Sequence, residues 1–423
     1  MSYPITVGVS FDFSNGPVFG YPLILDDPTN GVIGKGILAD TASTIVDISN
    51  QVTNISLRGG YNLLQDQFEA GSATIRVLDP NGDWNPQNPL SPYYGKLLPL
   101  RKMRVSGIYN GTTYYLFSGY TTAYNYTYPK DQNIGYVDIQ CVDGFRLFNL
   151  ANVTTITGAV DGQDTGTRIN TILDNVGWPP SMREIMTGGT ETICQADPGT
   201  TRTTLQALKM VEFSEQGAFY MDGGGDTVFK SRQYILKSNG ANPTYFSNAT
   251  GSGQITYKNI VFAFDDKLII NDAQIQAIGG TMQEAYDSTS QATYFPHSMT
   301  QQNLVVKSDA DAKNIAGMYV ASRAHTSIRI DAMTLDLTTP NYDAGITAAL
   351  NLDYFNTVTI TNVGQDTVSG QSTITKTEQI MGMAHDITPT TWLTTFTTRA
   401  PIDLGFILDS TLYGVLDTSV LAY

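Results

Sequence analysis

Cations are scarce in this sequence and never clustered. Lys and Arg number 24 among 423 residues, against 39 Asp and Glu, for a formal net charge of -15. Proteins that grip nucleic acid release counterions through grouped Lys and Arg, so this composition argues against a nucleic-acid binder. An acidic surface repels phosphate and suits a channel through which DNA slides without sticking. There are two cysteines, Cys141 and Cys194, too few and too far apart for a disulfide framework or a zinc site. They read as buried free thiols of a chain made in a reducing cytoplasm. The three histidines, His297, His325 and His385, stand alone, with no His-Glu-x-x-His or Cys-His grouping. No apolar run approaches the ~20 residues of a membrane span, and Met1-Ser2-Tyr3-Pro4-Ile5 opens no signal peptide. A serine-hydrolase elbow and a P-loop are both missing. Neither a cofactor nor a metal is expected.

What is present favours strands. Hydrophobic residues make up 41% of the chain, enough for real cores. Thr, Asn, Gly and Tyr are abundant, with 24 tyrosines, a bias toward strands and turns. Val7, Val9, Phe11 and Phe13 alternate as a strand does, and so does Ser72–Leu78. Residues 103–108 and 113–117 flank Asn110-Gly111, a strong hairpin signal. Over 151–255 the character changes. A helix carries Ile169, Ile172, Leu173 and Val176, with Thr167 as its cap and Gly177 and Pro179 as its stop. Thr203 and Gln206 form a capping-box pattern for a second helix. Residues 217–221 and 227–230 read as strands around Asp222-Gly-Gly-Gly225. Beyond 256, strands are expected at 260–264, 268–270, 328–333, 358–361 and 392–396, interrupted by one helix over 309–325.

The fold class expected is mainly β with an α/β insertion. Residues 1–40 form an N-terminal strand and arm, 41–150 a first β domain, and 151–255 a small α/β module. Residues 256–400 form a second β domain with the inserted helix, and 401–423 a C-terminal tail. The two arms resemble each other. Ile24-Leu25-Asp26 matches Ile407-Leu408-Asp409, Gly31-Val32 matches Gly414-Val415, and Leu38 matches Leu421. A match this short is either a true repeat or chance. Apolar anchors in an extended segment usually dock onto another surface, the alternative being packing against the chain's own β domains. These twelve residues are the partner-docking candidates.

Candidate chemistry is thin. Asp79–Asn85 spaces oxygen ligands at alternate positions, but Trp84 and Leu90 stand where a calcium loop needs Gly and Glu, so an Asx-rich turn is the simpler reading. Glu212 and Glu215 share a helix end, and spacing alone cannot set them across a cleft as a glycosidase requires. Trp84, Trp178 and Trp392 could stack on sugars in an adhesin, with packing the simpler account.

Several segments resemble a family of minor tail proteins of long-tailed phages, similar to the baseplate hub of contractile phages. They include Leu57-Arg-Gly-Gly60, Phe68–Asp79, Asn81-Gly-Asp-Trp-Asn-Pro86, Ser91-Pro-Tyr-Tyr94 and Leu98-Pro-Leu-Arg101. Downstream come Gly166–Pro179, Glu215–Asp222, Phe229–Arg232, Asp265-Asp266 with Asn271-Asp272, and Met381–Ile387 with Trp392. At Gly60 the family has arginine. The resemblance implies two tail-tube-like β-barrel domains and a homotrimeric hub that is no enzyme. It also implies a place at the virion tail tip, assembled in the bacterial cytoplasm. Expected partners are the distal tail, tail tube and tape measure proteins and a tail fibre or receptor-binding protein, with DNA passing through the lumen. The rival readings are a distal tail ring protein, a carbohydrate-binding adhesin and a cell-wall hydrolase.

Overall fold

The computed structural model describes residues 4–14, 16–17, 45–130, 134–188, 192–249, 253–338, 343–364 and 373–401. The first half contributes β1 (Thr6–Asp12), β2 (Ile45–Asp47), β3 (Val52–Asn62), β4 (Gln67–Asp79), β5 (Lys102–Tyr109), β6 (Thr112–Thr127) and β7 (Gly135–Val142). Next come α1 (Phe145–Leu150), α2 (Thr165–Asn175), β8 (Arg183–Ile185), α3 (Thr204–Glu215), β9 (Ala218–Met221), β10 (Thr227–Lys230), α4 (Arg232–Ser238) and β11 (Thr244–Ser247). The last stretch holds β12 (Asn259–Ala263), β13 (Asp272–Ala277), β14 (Gln283–Tyr286), α5 (Ser288–Tyr294), β15 (Ser298–Leu304), α6 (Asp309–Arg323), β16 (Arg329–Asp336), α7 (Asp343–Asn351), β17 (Thr357–Asn362), β18 (Ile374–Ile387) and β19 (Trp392–Arg399). Short two-residue strands are left unnumbered.

One 13-stranded sheet dominates, in the order β12-β16-β19-β18-β3-β4-β7-β6-β5-β1-β2, with β17 and β11 branching from β18. The halves join where β3 pairs antiparallel with β18, Gly60 opposite Gly382 and Ile55 opposite Ile387. No sheet closes on itself among the described residues; the strands of both halves run on as one continuous sheet. The core is equally continuous. Phe11, Ile75 and Met103 share it with Met333, Trp392 and Phe396, all of them fully buried. Clean alternation produces this: in β4, Ala73, Ile75 and Val77 are buried while Ser72, Thr74 and Arg76 face outward or sit half-buried.

Two smaller units lean on the sheet. α1, α2 and α3 pack with Ile169, Leu173, Leu208 and Phe219 over the three-stranded sheet β8-β10-β9. α6 covers β14-β13-β15 through Ala312, Ile315, Ala316 and Tyr319. The Thr203–Gln206 capping box is present on α3 as its spacing predicts.

Four expectations need correction. α2 is capped by Asp164 and not by Thr167, because the Asp164 carboxylate accepts the Thr167 N–H at 2.8 Å. Leu268-Ile269-Ile270 is a turn rather than a strand: Ile269 N–H reaches the Asp266 carbonyl and Ile269 is buried as an anchor, and the strand begins at Asp272. The helix expected over 309–325 ends at Arg323, and α5 and α7 accompany it. α5 has no apolar stripe to announce it; the Asp287 carboxylate starts it by accepting from Thr289 and Ser290.

The Asn110-Gly111 hairpin forms as its sequence predicts, with φ of 48° and 79° at the two turn residues. That turn needs positive φ twice. Gly111→Ala should therefore destabilise the chain by about 1 kcal/mol, read as a lower denaturant midpoint at unchanged slope.

Candidate functional site

A cleft of about 740 Å³ lies between the two halves of the sheet, walled by β3, β6, the Asp222–Asp226 turn and residues 349–354. Its acidic groups are Asp143, Glu184, Asp222, Asp226 and Asp353, faced by Arg58 and Arg104. The Asp222–Gly225 turn lies against β6 so closely that a Cβ on Gly223 would stand 2.2 Å from the Tyr115 carbonyl oxygen. Only glycine permits that approach. Ser118 Oγ then donates to the Gly223 carbonyl at 3.1 Å and Arg104 Nη2 to the Gly224 carbonyl at 3.1 Å.

Backbone N–H groups hold these carboxylates. Asp143 accepts from Gly71 and Phe145, and Asp222 from Gly225 and Asp226. Asp353 accepts from Tyr354. Burial nonetheless pushes the Asp143 carboxyl up to about 7 and Asp222 up to about 6, and raises Asp353. His385 also lines the cleft; burial pushes its imidazole down to about 4, so it is neutral. Its Nδ1 lies 3.0 Å from Thr394 Oγ1 and takes the Trp392 indole N–H at 3.3 Å. Both partners lie on β19, beside His385 on β18. These carboxylates are held by backbone N–H groups, and among the described residues the hydroxyl hydrogen-bonded to His385 is that of Thr394 in the core.

The other singled-out residues fall elsewhere. Glu212 is 2.7 Å from the Lys209 ammonium and accepts from Phe219 N–H. Glu215 accepts from Thr165 and Thr192, so the two tie different segments and do not face each other across a cleft. Asp79 accepts from Trp84 N–H, five residues on, and from Tyr128 O–H, so its carboxylate closes the loop after β4 and ties it to the end of β6. Trp84, Trp178 and Trp392 are all buried and cannot stack on a sugar. Both cysteines are buried and free, with Cys194 pushed up to about 12 by burial. His297 and His325 lie near Asp266 and Asp287 at 3.9 and 3.7 Å. The twelve docking candidates of the arms, from Ile24 to Leu38 and from Ile407 to Leu421, lie outside the described residues. Among the described residues no helix is long and apolar enough to cross a membrane.

Buried titratable groups make a pH dependence. Asp143 and Asp222, together with Glu378 (pushed up to about 7 by burial), hold protons in the folded chain that the unfolded chain has released. Raised folded values mean stability that is full below about pH 4 and lost as pH rises through 6 to 7. His385 opposes them: its folded value of about 4 lies below the unfolded 6.5, so stability falls as pH drops through that window. Three carboxyls outweigh one imidazole. Urea melts should show the chain more stable at pH 5 than at pH 8, by on the order of 2–4 kcal/mol. Glu378→Gln should shrink that difference, and a stability maximum at pH 8 would contradict the assignment.

No family model matches the chain, and no curated protein does. Among solved structures it is similar to the tail protein from Neisseria meningitidis MC58, at 10% identity and a TM-score of 0.57 over 95% of this chain and 98% of that one. It is also similar to the prophage MuSo2 43 kDa tail protein from Shewanella oneidensis, at 12% identity and a TM-score of 0.53 over 85% and 96%. The fold is therefore that of phage tail proteins, in agreement with the resemblance read from the sequence.

Proposed function

We propose that this chain is a structural protein of a phage tail tip. In this reading it is a homotrimeric hub joining the tail tube and distal tail ring to a central fibre or spike. The observation that carries the reading is the end-to-end match to a tail protein, over 95% of this chain and 98% of the other. Four features support the finer points. The second half of the sheet nearly returns on itself: β11 pairs with β17, and the isolated Phe246–Ile255 bridge sets it beside the chain entering β12. The first half brings β2 back to β3 through the short turn Ser49–Gln51. Two barrel-like halves per chain would give three copies a pseudo-sixfold ring, matching a sixfold tube to a threefold spike. The net charge of -15 fits a lumen that repels passing DNA, and the cleft's carboxylates are engaged as anchors rather than poised for acid–base work. Docking with tail tube, distal tail, tape measure and fibre proteins would complete the assembly.

Copy number and position in a reconstruction of the intact tail test this. Three copies at the tip are expected. Six copies in a ring above the tip would make the chain a distal tail ring protein, and absence from the tail would sink the reading.

A further inference from the structure

Tyr354 stands among carboxylates that no cation answers. The charges of Asp353, Asp143 and Asp222 all reach its hydroxyl, and Glu184 acts on Asp222 and Asp353 in turn. All of these residues line the cleft between the two halves of the sheet. None of the four carboxylates forms an ion pair among the described residues. The cations nearby are engaged elsewhere: Arg58 with Asp386, Lys209 with Glu212, Lys230 over the Tyr234 ring and Arg104 over the Tyr115 ring. Asp222 holds its turn, and Asp353 the Tyr354 N–H, through Oδ1 alone, which leaves Oδ2 of each open, and Glu184 is exposed. Burial, and then Asp226 and Glu184, push the Asp222 carboxyl up to about 6, as happens where like charges gather without a counter-ion.

His385 is an independent sign of a ligand. The residue is 5% exposed and lines the same cleft. Its Nδ1 accepts the Trp392 indole N–H, so the neutral ring carries its own proton on Nε2. That N–H has no partner among the described residues. A donor nearly cut off from water calls for an acceptor.

The cleft thus calls for a cation and a hydrogen-bond acceptor in one ligand. No group of His, Cys, Asp and Glu among the described residues could hold a metal ion. A neutral sugar brings no charge, and a polyamine brings no acceptor. A peptide brings both, in a Lys or Arg side chain and its main-chain carbonyls. Half-buried Tyr114, Leu352 and Met383 on the walls suit the aliphatic stem of such a side chain. A volume of about 740 Å³ takes a few residues. This chain's own Lys and Arg are few and never clustered, which points to another protein as the donor. We propose that the cleft seats a short extended segment of a partner protein, with a Lys or Arg side chain among Glu184, Asp222 and Asp353 and a main-chain carbonyl on His385 Nε2. This stands on the chemistry of the cleft and not on a place in a tail.

The probe is a labelled octapeptide of alternating Lys and Ser, titrated with the full chain at low salt and read by fluorescence anisotropy. Saturable binding is expected, and none of the matching Glu and Ser peptide. Glu184→Gln, a change at an exposed side chain, should weaken binding roughly two- to fivefold, and Glu184→Gln with Asp222→Asn and Asp353→Asn roughly tenfold or more. Three neutralisations outside the cleft, Asp161→Asn, Asp174→Asn and Glu284→Gln, should leave it within about twofold, since salt and distance screen them. His385→Gln, whose amide can donate in place of Nε2, should bind more tightly than His385→Phe. No binding by the unaltered chain would overturn the proposal, as would an equal loss in the distant triple variant or full binding by His385→Phe. Spermine that displaces the peptide as well as unlabelled peptide does would also overturn it, and would make the cleft a polyamine site.

Discussion

Placing arginine at Gly60, the residue type that the resembling family carries there, is expected to break the junction between the two halves of the sheet. Gly60 has φ of 148°, and a Cβ on it would stand 2.4 Å from the Gly382 Cα and 2.7 Å from the Met381 carbonyl oxygen. Both obstacles are backbone of β18, so no rotamer change relieves them. The bulges sit at the same place: β3 shifts register against β4 between Arg58 and Gly60, and β18 against β19 between Ile380 and Gly382. Two glycines facing each other let the bulged strands touch. Gly60→Arg should cost about 3 kcal/mol or more, combining overpacking with an unfavourable φ. Gly60→Ala should already cost most of that, because the first carbon makes the clash. The checks are denaturant unfolding and hydrogen exchange of β3 and β18. Near-neutral stability of Gly60→Ala would mean that the strands can part here without loss.

This junction also marks where the sequence stops being legible. Local signals were strong where one element decides its own form. The alternation of Ser72–Leu78, the Asn110-Gly111 turn and the Thr203–Gln206 box each produce the element that their spacing predicts. Signals failed where a distant partner decides. Nothing near Gly60 announces Gly382, more than three hundred residues away, so the departure from the family's arginine had no visible reason until β3 met β18. The cleft was equally hidden: Asp143, Asp222 and Asp353 become neighbours only through the fold, although three consecutive glycines after Asp222 did hint at a close backbone approach. α5 was missed because its sequence, Ser-Thr-Ser-Gln-Ala-Thr-Tyr, lacks an apolar stripe. Leu268–Ile270 misled because a buried turn can be as apolar as a strand.

Asp66→Asn is expected to be the most damaging polar substitution in the chain. Asp66 lies in the turn after β3, and Arg323 ends α6, 257 residues away. The two side chains are only 4% and 12% exposed, and the Tyr61 hydroxyl also donates to Asp66 Oδ1, at 3.2 Å. The pair therefore ties the unit under α6 to the large sheet in a place that water hardly reaches. Burial of an ion pair adds little net stability, since desolvation offsets attraction, but removing one member leaves a buried charge alone. The amide keeps the size of the carboxylate and removes only its charge. Arg323 would then be left without its partner in the cavities that it lines together with Arg399. The expected cost is about 3–5 kcal/mol, little affected by salt because the site is shielded. Asp66→Asn combined with Arg323→Met should recover most of it, for the second change removes the stranded charge. Denaturant unfolding of both variants in low and high salt decides the matter. A loss under about 1 kcal/mol in Asp66→Asn would assign the pair to the weak, solvent-screened class.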